Sequence, residues 1–211
     1  MVSEDHNQNE TNMQSTDTPT GDRHDDADKT SVDASVLSDF WRAMALLSRV
    51  PLPPVGDFRA ALIARSVWCW PLVGLVLAGL ALLPAMLVDF LTGNPLVYAI
   101  FAIAAMVLLS GAMHEDGIAD CADGFGGGMD RDRKLEIMRD STVGTYAVVM
   151  LILTLGLRLV LITAAADIGQ AGILFLIMAV ISRAAMPVVM RILPPARDNG
   201  LGKGAGRPGW L

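Results

Sequence analysis

Between His114 and Asp140 the chain concentrates eight acidic residues, and the spacing of the first of them suggests chemistry. Asp116, Asp120 and Asp123 stand at i, i+4 and i+7, so on one continuous helix they share a face about one turn apart. Three like charges in a line repel unless a cation offsets them. All-oxygen donors of this kind suit a hard ion such as Mg²⁺ or Mn²⁺, which bridges protein carboxylates and substrate phosphates. His114 beside them has the chemistry of a base or a substrate-orienting group, and equally that of a boundary histidine satisfied by a neighbour.

Gly124, Gly126, Gly127 and Gly128 are expected to end this helix and let backbone approach a ligand, or to act as a plain hinge. Beyond them Asp132, Glu136 and Asp140 repeat at i, i+4 and i+8 in a second predicted helix, whose Leu135, Ile137 and Met138 are apolar. Arg131, Arg133, Lys134 and Arg139 are interleaved. Carboxylates for a metal beside guanidiniums for phosphate oxygens are what phosphoryl transfer requires, because that reaction is mostly positioning and charge neutralisation. An ordinary solvated helix is the alternative for this second cluster. A zinc-protease helix is excluded, since His114-Glu115 has Ile118 where that motif needs its second histidine. Cys121 has no cysteine or histidine at metal-finger spacing, which favours a structural role.

These residues must be held by membrane helices. Of 211 residues 53% are hydrophobic and 18% charged. The net charge of −6 is local: residues 1–35 hold nine of the 22 acidic residues and two basic ones. That polar stretch is expected to be a disordered tail, solvated or partner-binding, without the basic start and apolar core of a signal peptide. Its acidity gives no basis for a nucleic-acid partner or for an acidic globular surface. Two cysteines exclude a disulfide scaffold.

Val36, Leu37, Phe40, Trp41, Met44 and Leu47 recur at helical spacing with Asp39, Arg42, Ser48 and Arg49 at other positions, predicting an interfacial amphipathic helix stopped at Pro51–Pro54. A polar link with Arg59 and Arg65 follows. Four apolar stretches then approach the ~20 residues needed to cross the hydrocarbon core, at 67–88, 95–113, 143–166 and 172–193. The fold class is therefore an all-α polytopic membrane bundle, with residues 36–202 as its domain, 114–142 as its active-site loop and 203–211 as a Gly-rich end. The links 89–94 and 166–171 lack basic residues, whereas arginines and lysines precede the first span, fill 114–142 and follow the fourth. Both termini and the 114–142 loop are thus expected on the cytoplasmic side of the cell inner membrane. Gly74, Ala78, Gly79, Ala102, Ala104 and Ala105 should let helices approach closely. Arg158 and Arg183 within spans require a carboxylate partner, an interface or an anionic substrate.

The run HEDGIADCADG followed by DRDRKLEIMRDSTVGTYA resembles the signature of the cobalamin synthase family. Three other segments agree in order: Ala45–Pro53, Trp70–Gly74, and Ser182-Arg183 followed by Pro195–Gly202. The resemblance spans about Phe40 to Gly202. It implies a lipid-embedded, Mg²⁺-dependent transferase that joins α-ribazole, or its 5′-phosphate, to the cobinamide-side phosphorus of adenosylcobinamide-GDP, forming adenosylcobalamin and releasing GMP. Carried onto this chain, Asp116, Asp120 and Asp123 would hold the metal, and one of them or His114 would assist hydroxyl deprotonation. Arg133 and Arg139 would meet phosphate charge, with Asp132, Glu136, Asp140, Gly126, Gly127 and Arg183 completing the substrate site. Glu115 stands where the family has an apolar residue. Further membrane helices with another Gly-Asp and Glu motif normally follow in the family, so this chain is expected to lack that C-terminal part, and an inactive fragment is one alternative.

Other readings have spacing against them. A membrane prenyltransferase would offer two Asp-rich loops. A CDP-alcohol phosphotransferase aligned on Asp116-Gly117 would need alanine and arginine where Asp120 and Cys121 stand. A divalent-cation carrier would place carboxylates near mid-membrane.

Overall fold

Every long apolar stretch of the chain folds as a helix, and the computed structural model, which describes residues 35–55, 58–197 and 200–209, contains no strand among them. The expected tail, 1–35, lies outside the described residues except for Ser35. That serine caps α1 (Val36–Leu47), its hydroxyl accepting from the Ser38 amide at 3.1 Å. Next come α2 (Ala60–Ser66), one 3₁₀ turn (Val67–Cys69), and α3 (Trp70–Thr92). Then follow α4 (Pro95–Ser110), α5 (Met113–Gly127), α6 (Arg131–Ile137), α7 (Thr145–Asp167), α8 (Ala171–Ile192) and the short α9 (Leu201–Gly204). Three helical stretches, 60–92, α7 and α8, are long and apolar enough to cross a membrane, and α4 with α5 makes a fourth if that bent pair is one span.

The core is small-residue packing. Ala78, Ala81 and Ala85 of α3 meet Ala99 and Ala102 of α4, Ala165 of α7, and Ala171 and Ala179 of α8. A side chain at Gly74 would come within 2.6 Å of the Ala179 carbonyl, so glycine sets the α3–α8 distance. Large side chains such as Leu83, Leu87, Val160 and Ile181 point outward, as expected where the surroundings are as apolar as leucine.

Several boundaries differ from expectation. α1 turns its charges inward: Asp39 and Arg42 are each only 5% exposed, while Val36 and Leu37 lie open. Arg65, expected in a link, lies in α2 and donates to Asp39 at 2.7 Å, Arg42 donates to it at 3.0 Å, and the Trp68 indole adds a third donor. The inner side of α1 carries both kinds of residue, Met44 and Leu47 packing in the core beside this pairing. α1 also stops before the prolines, at Leu47, where the Ser48 hydroxyl takes the Met44 carbonyl.

The largest difference lies in the second span. It does not run straight to Met113: α4 ends at Ser110, and α5 leaves at 87°. Gly111 and Ala112 both adopt left-handed backbone, which closes the last turn of α4 through bonds from the amides of Gly111 and Ala112 to the carbonyls of Leu108 and Val107. The Arg49 amide takes the Leu109 carbonyl and its side chain covers Gly111, leaving no room for a larger residue. With 16 residues α4 is about 24 Å long against about 35 Å for the 23 of α3. α5 therefore starts roughly 10 Å short of the level that a full-length span would reach.

α5 ends within the glycine run, as expected, but late in it: Gly124 and Gly126 are still helical, and Gly128 is the first residue outside. α6 stops at Ile137, leaving Asp140 outside the helix that was expected to carry it. The Gly-rich end is docked rather than loose: Ala205 packs on the α1–α3 core, and Arg207 donates to the Arg191 carbonyl at 2.9 Å.

Candidate functional site

Helix α5 presents two unlike faces. Asp116, Asp120 and Asp123 follow one another along the first, as their spacing requires. They do not act alike. Asp116 is exposed and Asp120 half-buried, and neither takes a hydrogen bond or close ion pair from a described residue. Burial, and after it the charge of Asp116, pushes the Asp120 carboxyl above its usual range, against the opposing charge of Arg197. Asp123 is committed elsewhere: its carboxylate accepts from the Gly144 amide at 2.6 Å and the Ala147 amide at 2.9 Å, capping the N-terminus of α7. A side chain at Gly144 would collide with that carboxylate.

Among the described residues no three His, Cys, Asp or Glu side chains converge on one point suited to a metal ion. Of the three aspartates, Asp123 alone has two of its lone-pair positions taken by backbone donors. Two carboxylates without donors still fit a hard divalent ion, which commonly takes one or two protein carboxylates and completes its shell with substrate phosphate oxygens and water.

The residues of α6 are held among themselves. Arg133 donates to Glu136 at 2.7 Å, Asp130 caps the helix through the Arg133 amide, and Asp140 accepts from the Thr142 amide at 3.0 Å. That bond holds the Asp140 carboxyl below the usual range. Asp132 and Arg139 are exposed. None of these six is among the charges acting on Asp120, whereas Arg197 is. Arg197 is the residue missed from the sequence; its position after span four gave it only a topological meaning there. Arg131 links the two segments by donating to the Ala196 carbonyl. Gly126 and Gly127 face packing partners, the Tyr146 ring and Ile137, where the sequence suggested a ligand.

His114 lies on the other face of α5, since two residues along a helix turn the side chain by about 200°, and Arg183 of α8 lines the same space. There a cavity of about 790 Å³ opens between α4, α5, α7 and α8, apolar along most of its wall. Glu115 also faces it and accepts from Arg158 at 2.7 Å. The unusual carboxylate and one intramembrane arginine are therefore each other's partner. Arg183, 8% exposed, donates only to the Ser182 hydroxyl, at 2.9 Å. Cys121 lines the same wall and is exposed, while Cys69 is buried in the core.

Residues 39–209 match the cobalamin-5-phosphate synthase (CobS) family. Over 181 residues the chain is 41% identical to an adenosylcobinamide-GDP ribazoletransferase of Sinorhizobium medicae, covering 82% of this chain and 69% of that one. It is 43% identical over 164 residues to one of Bradyrhizobium diazoefficiens, covering 76% and 63%. A third, of Azorhizobium caulinodans, is 40% identical over 180 residues, covering 82% and 68%. The chain thus spans about two thirds of the length of the curated relatives it matches. No solved structure matches. A family match over most of the chain, together with these identities, leaves one conclusion: the chain belongs to the CobS family of cobalamin-pathway transferases.

Proposed function

We propose that this chain transfers the adenosylcobinamide phosphate group from adenosylcobinamide-GDP to α-ribazole or its 5′-phosphate, in a Mg²⁺-dependent reaction that releases GMP. The observation that carries this reading is the pair Asp116 and Asp120, two carboxylates without protein donors one turn apart on the exposed face of α5, in a chain of this family. Mg²⁺, when bound by Asp116 and Asp120, supplies charge neutralisation on the diphosphate. Asp123 fixes the height of that face by tying α5 to the start of α7. Arg197 meets phosphate charge beside Asp120, with Arg133 and Arg139 on the neighbouring exposed segment. The ribose hydroxyl oxygen of the acceptor attacks the cobinamide-side phosphorus. The bond from that phosphorus to the bridging oxygen breaks, GMP leaves with that oxygen, and the hydroxyl proton passes to a carboxylate of the same face. The basic residues of 131–139 and of the C-terminal segment support a cytoplasmic position for this surface, at the cell inner membrane.

GMP release from adenosylcobinamide-GDP plus α-ribazole, measured in membranes containing the chain, tests the reading. Asp120→Asn is expected to abolish it while the protein stays membrane-inserted. Near-normal turnover of that variant would sink the metal assignment, and no GMP from the inserted wild-type chain would sink the reaction.

A further inference from the structure

The cavity behind α5 is a second site. Its wall is almost wholly apolar, with Ile103, Met106, Ile162 and Phe175 among its lining, yet one end gathers His114, Glu115, Arg158 and Arg183. The pairing there is incomplete. Arg158 takes one oxygen of Glu115, but the other oxygen, both ring nitrogens of His114 and Nε of Arg183 are buried without a partner. Each such atom is costly to bury unless something in the cavity meets it. Water could serve single atoms, but two guanidiniums face one carboxylate, and a surplus positive charge in apolar surroundings calls for an anion. The remaining apolar wall calls for a hydrocarbon or ring body.

We infer that this cavity binds an apolar molecule bearing one phosphate or carboxylate group, the anion held by Arg183 and His114 and the body lying along α7 and α8. Tyr146, Val149 and Leu153, exposed along the wall, line an approach from outside the bundle. The site is on the opposite face from Asp116 and Asp120, and it stands whether or not the reaction proposed above does.

Binding is measured on the full chain in nanodiscs of phosphatidylcholine, with 1-naphthyl phosphate and neutral 1-naphthol as probes. Wild type is expected to bind the phosphate at least tenfold more tightly than the alcohol. Arg183→Gln should erase that preference, and Arg183→Lys, which keeps the charge, should retain most of it. Adding phosphatidylglycerol to the nanodiscs separates the two sources of such a ligand. Displacement of the probe assigns the site to an anionic lipid, and its persistence assigns it to a soluble phosphate. Equal binding of the two probes by wild type would overturn the inference, as would a preference unchanged in Arg183→Gln. The wild-type comparison holds even if the glutamine variant fails to fold.

Discussion

Helix α6 is the denser in charge, five of its seven residues against four of fifteen in α5, yet the two helices use that charge in different ways. In α5 the charges answer to distant parts of the chain: Glu115 to Arg158, 43 residues on, and Asp123 to the amides of Gly144 and Ala147. In α6 Arg133 answers to Glu136 three residues away and Arg131 to the exposed Ala196 carbonyl, and none of the helix's residues is buried. Charge density alone marks neither a site nor a surface. What separates the two helices is whether a charge is desolvated and where its partner comes from.

The contrast can be broken or sharpened by substitution. The largest structural effect is expected for Arg158→Met, which strands Glu115 in apolar surroundings. A loss of about 2–3 kcal/mol in detergent unfolding is expected, at the lower end of the usual cost because Arg158 is one-third exposed. Glu115→Leu combined with Arg158→Met should recover most of it, and strictly additive costs would show that the pair is not coupled. Next is Asp123→Ala, expected to cost roughly 1–2 kcal/mol through the lost cap on α7 and to lower turnover by shifting the carboxylate face. Gly144→Ala should reproduce that loss while leaving Asp123 in place, since the added carbon would collide with the carboxylate.

Acid titration should then separate the helices by sign. The Asp120 carboxyl is raised in the folded state, so its contribution to stability is present at low pH and is lost as pH rises through the shifted value. The Asp140 carboxyl is lowered, so its contribution is present above the ordinary carboxylate range and is lost as pH falls below it. Asp120→Asn and Asp140→Asn should therefore change the acid limb of metal-free thermal unfolding in opposite directions; changes of the same sign would remove the distinction. The smallest effect is expected for Arg133→Ala, whose exposed pair should leave the melting temperature unmoved.

The helical membrane architecture was legible because apolar length and the placement of arginines are properties of sequence alone. What was hidden depended on three-dimensional partners. Ala112 gives no sign that it will sit left-handed and turn the chain, because Arg49 enforces that corner from 63 residues away. The glycines after Asp123 read as the end of the helix, and α5 does end among them, but only at Gly127. Gly124 and Gly126 are there for lack of bulk, against Met138 and the Tyr146 ring, not for freedom to turn. Asp123 looked like its two companions because spacing cannot reveal that backbone donors 21 and 24 residues on will claim it. Helical periodicity likewise reports that a face of α1 is apolar but not whether its surroundings are core, water or lipid: Met44 and Leu47 face the core, whereas Val36 and Leu37 lie open.

The inward-facing Asp39 of α1 has a consequence for how the molecule is made. Its principal partner, Arg65, lies 26 residues later in the chain, a stretch that takes a few seconds to synthesise at about 5–20 residues per second. Until then α1 carries a carboxylate with only Arg42 to balance it, so it can rest at the membrane surface but not settle against the bundle. The pairing that holds α1 inward is thus out of reach until the helix after it has been made.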